Sequence, residues 1–132
     1  MSRLLAADTA LNLFRGHRHT TAHAAGFAGQ LSLSALTVFD IELWVLNART
    51  ASRFTSLYLP FMTQFRVLDV TQRLMSAAAR LTRHLPVANR PRYRVPAVLA
   101  ATALEHKLIL VTHDRTPYST FAGLTFEDWS VP

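Results

Sequence analysis

Three aspartates stand where a parallel α/β fold would gather its chemistry. Asp8 closely follows an apolar run at residues 4–7, Asp40 comes soon after the alternating segment 31–36, and Asp114 lies two residues past the apolar segment 108–112. Carboxylates gathered in one crevice repel each other, and a divalent cation relieves that repulsion. Mg²⁺ or Mn²⁺ held this way can activate water against a phosphodiester. Each acid also has a plainer use. Asp8-Thr9 reads as an N-cap, Asp40 as part of a helix start, and Asp114-Arg115 as turn chemistry. Glu42, two residues from Asp40, is a spare ligand on another side of its helix, and Thr112 is a secondary candidate beside Asp114.

The elements that would position these acids alternate in type. Residues 4–7 read as a buried first strand, with helix from Ala10 to a stop at Arg15-Gly16. Residues 17–29 read as a helix with a loose end. The sequence Leu-Ser-Leu-Ser-Ala-Leu at 31–36 alternates like a half-buried strand. Thr37-Val38-Phe39-Asp40 has capping-box spacing, and Phe39, Leu43, Leu46 and the nearby Val45 form an apolar stripe. A helix over 52–65 should be kinked or interrupted at Pro60. Then follow a short strand at 66–70, a helix from Thr71 to about His84, a basic loop at 86–94, and a small-residue helix at 96–106. Segment 108–112 is the strongest strand, and 124–129 holds a last short one with Trp129 covering the core. This order predicts βαβ units, a short parallel sheet covered on both faces, and function at the carboxyl ends of its strands.

At 132 residues the chain suits one domain, residues 1–132, long enough to bury a core. It carries 14 Lys and Arg against 8 Asp and Glu, a net charge of +6, and Lys107 is the one lysine. Arginine's planar fork suits phosphate, so nucleic acid is the first partner class to consider, with an acidic protein as the other. No cysteine is present, which excludes disulfides, zinc–thiolate sites and thiol catalysis and fits a reducing cytoplasm. No apolar run approaches the ~20 residues of a membrane helix, so a soluble intracellular protein is expected.

His19 and His23 have i, i+4 spacing with His17 close by, but they lack a fourth ligand and read better as a solvated helix. Arg90, Arg92 and Arg94 flank Tyr93, a pattern that suits RNA backbone contact and base stacking as well as a solvated loop. Trp44, Phe54, Leu57, Tyr58, Leu59, Phe61 and Phe65 supply more bulky apolar surface than one small sheet requires, which points to a homodimer face or a groove for a partner helix. A nucleophile elbow and a Gly-rich phosphate loop are both lacking.

Four segments, in order, resemble the VapC-type PIN-domain toxins of bacterial toxin–antitoxin pairs. They are Asp8-Thr9 with Arg15-Gly16-His17, then residues 34–40, then Ala100-Ala101-Thr102-Ala103-Leu104, and finally Leu110-Val111-Thr112-His113-Asp114 through Gly123-Leu124 to Glu127-Asp128-Trp129. The resemblance implies a three-layer α/β/α nuclease, an RNA substrate, a cognate antitoxin and Mg²⁺ or Mn²⁺ bound by acids. Carried over residue by residue, Asp8 stands at the first metal-binding acid, Asp40 at the second and Asp114 at the fourth.

The third acid of that pattern is missing, because Pro96 occupies its place. No acid lies between Asp69 and Glu105 to replace it. Pro117 stands where the family often has an acid, and the stretch 9–15 is about two residues short, which allows Asp8 to rotate. Fewer carboxylates weaken magnesium binding. The expectation is therefore a metal-dependent endoribonuclease whose activity is weak, manganese-dependent or absent. Two rivals stay open: a PIN domain that binds RNA or an antitoxin without cutting, and an unrelated α/β binding protein whose acids are helix caps.

Overall fold

A computed structural model describes residues 2–132 except Ala48 and Thr50. In chain order the elements are β1 (Arg3–Leu5), α1 (Ala7–Phe14), α2 (Arg18–Ala25), β2 (Leu31–Ser34), α3 (Ala35–Val45), α4 (Ala51–Met62), β3 (Arg66–Leu68), α5 (Gln72–Leu81), a 3₁₀ segment (Val87–Tyr93), α6 (Arg94–His106), β4 (Ile109–Val111) and β5 (Phe126–Glu127). The strands form one parallel sheet in the order β3-β2-β1-β4-β5. The chain winds outward from β1 through β2 to β3, then returns to the other side of β1 as β4 and β5. The switch point lies between β1 and β4, and a crevice opens at the carboxyl ends of those two strands.

Strand alternation sends successive side chains to opposite faces. Leu5, Leu31, Leu33 and Val111 pack under α1, α2 and α3 with Ala10, Phe14, Ala24, Ile41 and Val45. Leu4, Leu68 and Leu110 pack on the other face against Leu99 and Ala103 of α6, and α5 adds Leu74 and Ala78 against α6. These are the three expected layers, an α/β/α sandwich. The Ala-rich run at 97–103 is buried throughout, since small side chains let α6 lie close to both the sheet and α5.

Several local expectations are corrected. All four residues of β2 are buried, Ser32 and Ser34 included, because the sheet is covered on both faces. The capping box at Thr37 does not form. Helix α3 begins two residues earlier, with Ser34 as N-cap accepting from the Leu36 N–H at 3.1 Å, and Thr37 is buried. Asp40 consequently lies in the second turn of α3 and not the first. The apolar stripe also divides. Val45 is buried, while Phe39, Leu43 and Leu46 are 67%, 59% and 75% exposed. Helix α4 is not interrupted at Pro60 and runs on to Met62, and the basic loop is in fact a 3₁₀ segment. By contrast, Thr71 caps α5 as expected, accepting from the Leu74 N–H at 3.1 Å.

The last strand is fastened by a polar clasp. The Arg3 guanidinium donates to both carboxylate oxygens of Glu127, at 3.1 and 2.8 Å, and lies over the Phe27 ring. Trp129 is buried between the parallel rings of Phe27 and His23, and its indole N–H donates to Glu127. The histidine cluster is used the same way. His17 caps α2 by accepting from the Thr20 N–H, and the His23 ring contacts the Val131 carbonyl at 2.9 Å.

Candidate functional site

The path to the site begins where β1 ends. Ala6 is the N-cap of α1 and its N–H donates to the Val111 carbonyl at 3.0 Å, so α1 starts beside the end of β4. The Thr9 hydroxyl donates to the same carbonyl at 3.0 Å. Asp8 is thereby held in the first turn of α1, where the positive end of the helix dipole favours a carboxylate. It is not the N-cap that local sequence allowed.

Both oxygens of Asp8 are engaged. Oδ1 accepts from the Thr9 N–H at 2.7 Å. Oδ2 accepts from the Thr112 hydroxyl at 2.8 Å and the His113 N–H at 3.2 Å, and it lies 3.2 Å from His113 Nδ1. Thr112 directly follows β4 and is fully buried. Its oxygen also accepts from the Asp114 N–H at 3.1 Å, which turns the chain so that Asp114 overlooks the same crevice. Asp114 Oδ1 accepts from the Thr116 N–H at 3.3 Å.

Asp8, Asp40 and Asp114 line one cleft of about 260 Å³ at the switch point, together with Thr112, His113, Pro117 and Tyr118. Asp40 reaches it from the second turn of α3, and burial raises its carboxyl above the ordinary value. Tyr118 lies close enough to sense all three acids. Its phenol is raised first by burial and then by the negative charges of Asp8, Asp114 and Asp40. The wall contributed by α6 is apolar, formed by Val95 and Leu99. Pro96 is not among the lining residues, and its neighbour Val95 is.

The donor chemistry fits a hard cation, since oxygen ligands and negative charge face one space. The carboxylates are not a closed cage, however: among the described residues no group of three or more His, Asp or Glu side chains is gathered tightly enough to hold an ion. One or two carboxylates with water completing the shell is the arrangement that suits magnesium.

The other named residues fall elsewhere. Glu42 is outside the cleft, because its carboxylate accepts from the Tyr58 hydroxyl at 2.8 Å, which with burial pushes that phenol up to about 12. Arg90 donates to the Leu85 and Arg83 carbonyls, both at 3.1 Å, and so fastens the 3₁₀ segment. Arg90 and Arg94 line a separate apolar hollow between α5 and α6, while the Arg92 guanidinium lies 5.9 Å from the Tyr93 ring centre. Tyr118, His113 and Val95 were not legible as site residues. No spacing rule marks them, and only the turn after β4 and the pitch of α6 bring them in.

The architecture is a PIN-like α/β fold, a five-stranded parallel sheet flanked by helices. Nearly the whole chain shares the fold of VapC/FitB PIN-domain toxins found in toxin–antitoxin complexes. It matches a chain of VapBC2 from Rickettsia felis bound to a DNA fragment from their promoter, at 13% identity and TM-score 0.79, over 98% of this chain and 99% of that one. A chain of DNA-bound VapBC from Salmonella typhimurium matches at 15% identity and TM-score 0.79, over 98% and 99%. One of FitAcB from Neisseria gonorrhoeae matches at 20% identity and TM-score 0.76, over 93% and 94%. No protein-family model matches the sequence, and no curated protein matches it. At these identities the likeness establishes the fold and leaves activity to the site.

Proposed function

We propose that this chain is a metal-dependent endoribonuclease of the VapC toxin type, working with a reduced set of carboxylates. The observation that carries the reading is the arrival of Asp8, Asp40 and Asp114, from three different elements, at one cleft on the switch point of a PIN-like sheet. One or two of these carboxylates, with water completing the shell, would hold Mg²⁺ or Mn²⁺, which when bound would supply a polarised water for phosphodiester hydrolysis. The chain's own residues have definite tasks. Thr112 and His113 fix the direction of the Asp8 carboxylate, Asp40 adds charge from α3, and Val95 and Leu99 form the apolar wall. The net charge of +6 draws RNA toward the surface, with Arg92 and Arg94 available beside α6 and Arg90 holding their segment in place.

We also assign this chain an antitoxin partner and a homodimeric state, acting as one unit over residues 1–132 in the cytoplasm. The matched complexes support the partner, since their names pair two proteins. Among the described residues no helix is long and apolar enough to cross a membrane. The exposed apolar side chains of α3 and α4 support a covering chain.

The test is RNA cleavage by purified protein in Mg²⁺ and in Mn²⁺, with D8N and D114N variants alongside. Cleavage should be slow, faster in Mn²⁺, and lost in both variants. Cleavage that persists in D8N would sink the assignment. A second reading, a PIN domain that binds RNA or an antitoxin without cutting, is favoured by the apolar wall of Val95 and Leu99. It predicts RNA binding with no metal-dependent cleavage at all.

A further inference from the structure

Among the described residues, Tyr118 is a buried side chain in the carboxylate cleft whose polar group makes no hydrogen bond. The residue is only 6% exposed, its ring packs against Phe126 and belongs to the core beneath β1 and β4, and it lines the cleft. Among the described residues its hydroxyl makes no hydrogen bond, although no buried side-chain polar atom is left unsatisfied. Those two facts agree only if the hydroxyl keeps some open surface, and the cleft that Tyr118 lines is where that surface lies.

Two other donors of the cleft are already committed. The Thr112 hydroxyl and the His113 N–H both point at Asp8, and the His113 ring turns Nδ1 to the same carboxylate. Ala6, Ala7, Val95, Leu99 and Pro117 have no side-chain donor to give. The three aspartates are acceptors when ionised. A phosphodiester bound in this cleft, its charge balanced by a cation, would present non-bridging oxygens that need donors. A hydroxyl that opens on the cleft can exchange solvent for such an oxygen, and a hydrogen bond to a charged acceptor is among the stronger ones.

We infer that the Tyr118 hydroxyl is a substrate-binding group that donates a hydrogen bond to a non-bridging phosphate oxygen of RNA held at the Asp8–Asp40–Asp114 cleft. This rests on the ribonuclease reading and adds to it a residue that contacts substrate directly. The hydroxyl is a neutral donor, so it can sit among carboxylates without adding repulsion. Its ring, held by Phe126 and the core, fixes the position of the hydroxyl oxygen, which a surface arginine would not do for its donors.

The experiment compares the full chain with Y118F, which keeps the ring and removes only the oxygen. Binding of a fluorescent single-stranded RNA is followed by anisotropy with and without Ca²⁺, a hard cation that isolates the cation-dependent part of the affinity. Thermal unfolding is measured on the same samples without RNA. The inference expects the cation-dependent affinity to fall roughly tenfold in Y118F, as for one hydrogen bond to a charged acceptor. It expects the melting temperature to hold or rise, because no internal bond is lost. Equal affinities would overturn the inference while leaving the ribonuclease reading intact. A clear drop in melting temperature would overturn it too, by showing that the hydroxyl is bonded within the protein. Absence of any cation-dependent binding by the unmodified chain would remove the ribonuclease reading itself, and the inference with it.

Discussion

Thr112 donates its hydroxyl to Asp8 Oδ2 at 2.8 Å, joining the end of β4 to the first turn of α1 across the switch point of the sheet. The two residues are far apart in sequence and belong to adjacent strand ends, so their bond aligns the mouth of the cleft. Thr112 is fully buried and the bond is to a carboxylate, which places it among the stronger side-chain hydrogen bonds. A T112V variant keeps the shape and removes the donor. It should lose about 2 kcal/mol of stability in urea unfolding, while T112S should retain most of it. Equal stability of T112V and the unmodified chain would show that Asp8 does not depend on this bond.

How much of this was legible beforehand follows from where the information sits. The Asp8, Asp40 and Asp114 positions could be read because each follows an apolar segment whose type is set locally. The α/β/α order was readable for the same reason. The start of α3 was not, since Ser34 and Thr37 are both good caps and only the length of β2, fixed by pairing with β3, chooses Ser34. Nor was the α6 wall. Pro96 marks the start of a helix in sequence, but the helix begins at Arg94, and the pitch then aims Val95 and Leu99 at the cleft. The fate of the aromatic residues was half legible. Trp44, Phe54 and Phe61 gather around Phe14, with ring centres 4.7 to 6.0 Å apart among them, and this consumes much of the surplus that the sequence displayed.

The α6 wall leads to a direct prediction. Val95 is 49% exposed and lines the cleft, so a carboxylate there would stay solvated while facing Asp8 and Asp40. V95D should tighten Mn²⁺ binding by about tenfold or more, since affinity rises with ligand charge and number. P96D, whose position is not among the lining residues, should gain less. Calorimetric titration with Mn²⁺ gives both values. A larger gain from P96D than from V95D would mean that α6 presents a different face to the cleft.

Asp40 connects function to stability through pH. Burial raises its carboxyl in the folded protein, so the folded state favours the protonated form. A raised folded value contributes stability below the unfolded pKa, and that contribution is lost as pH rises through the folded value. At neutral pH the ionised carboxylate is therefore a burden on the fold. D40N should be more stable than the unmodified chain at pH 7 and no different near pH 3, while losing the heat of Mn²⁺ binding. Denaturant midpoints across that range decide the matter. A D40N protein that is less stable at pH 7 would show that Asp40 has a structural partner.

The clasp at β5 behaves oppositely. The Arg3 hydrogen bonds hold the Glu127 carboxyl below its ordinary value, with help from the Trp129 indole. A depressed folded value contributes stability above the unfolded pKa, and this is lost as pH falls through the folded value. E127Q should cost about 1 kcal/mol at pH 7, a figure reduced because the Glu127 side chain is 31% exposed. The difference should vanish in acid, below the range where glutamate ordinarily titrates. Trp129 fluorescence is a local reporter, and an unchanged spectrum with unchanged stability at pH 7 would remove the clasp from the account.

The exposed face of α3 and α4 is the last point that experiment can decide. Phe39, Leu43, Leu46, Leu57 and Leu59 are each at least half exposed, with Leu59 at 73%. Isolated apolar side chains on a surface are ordinary, but several large ones on two adjacent helices suggest a covered surface. None of these five belongs to the core cluster around Phe14. If a second chain covers this face, light scattering should show self-association, and the double variant F39S/L43S should shift the protein toward monomer. Its unfolding free energy per chain should change by less than about 0.5 kcal/mol, as for surface substitutions. A monomeric unmodified protein that also fails to bind a hydrophobic dye would show that the face needs no cover, because a solvated patch of that kind would otherwise be detected by one measurement or the other.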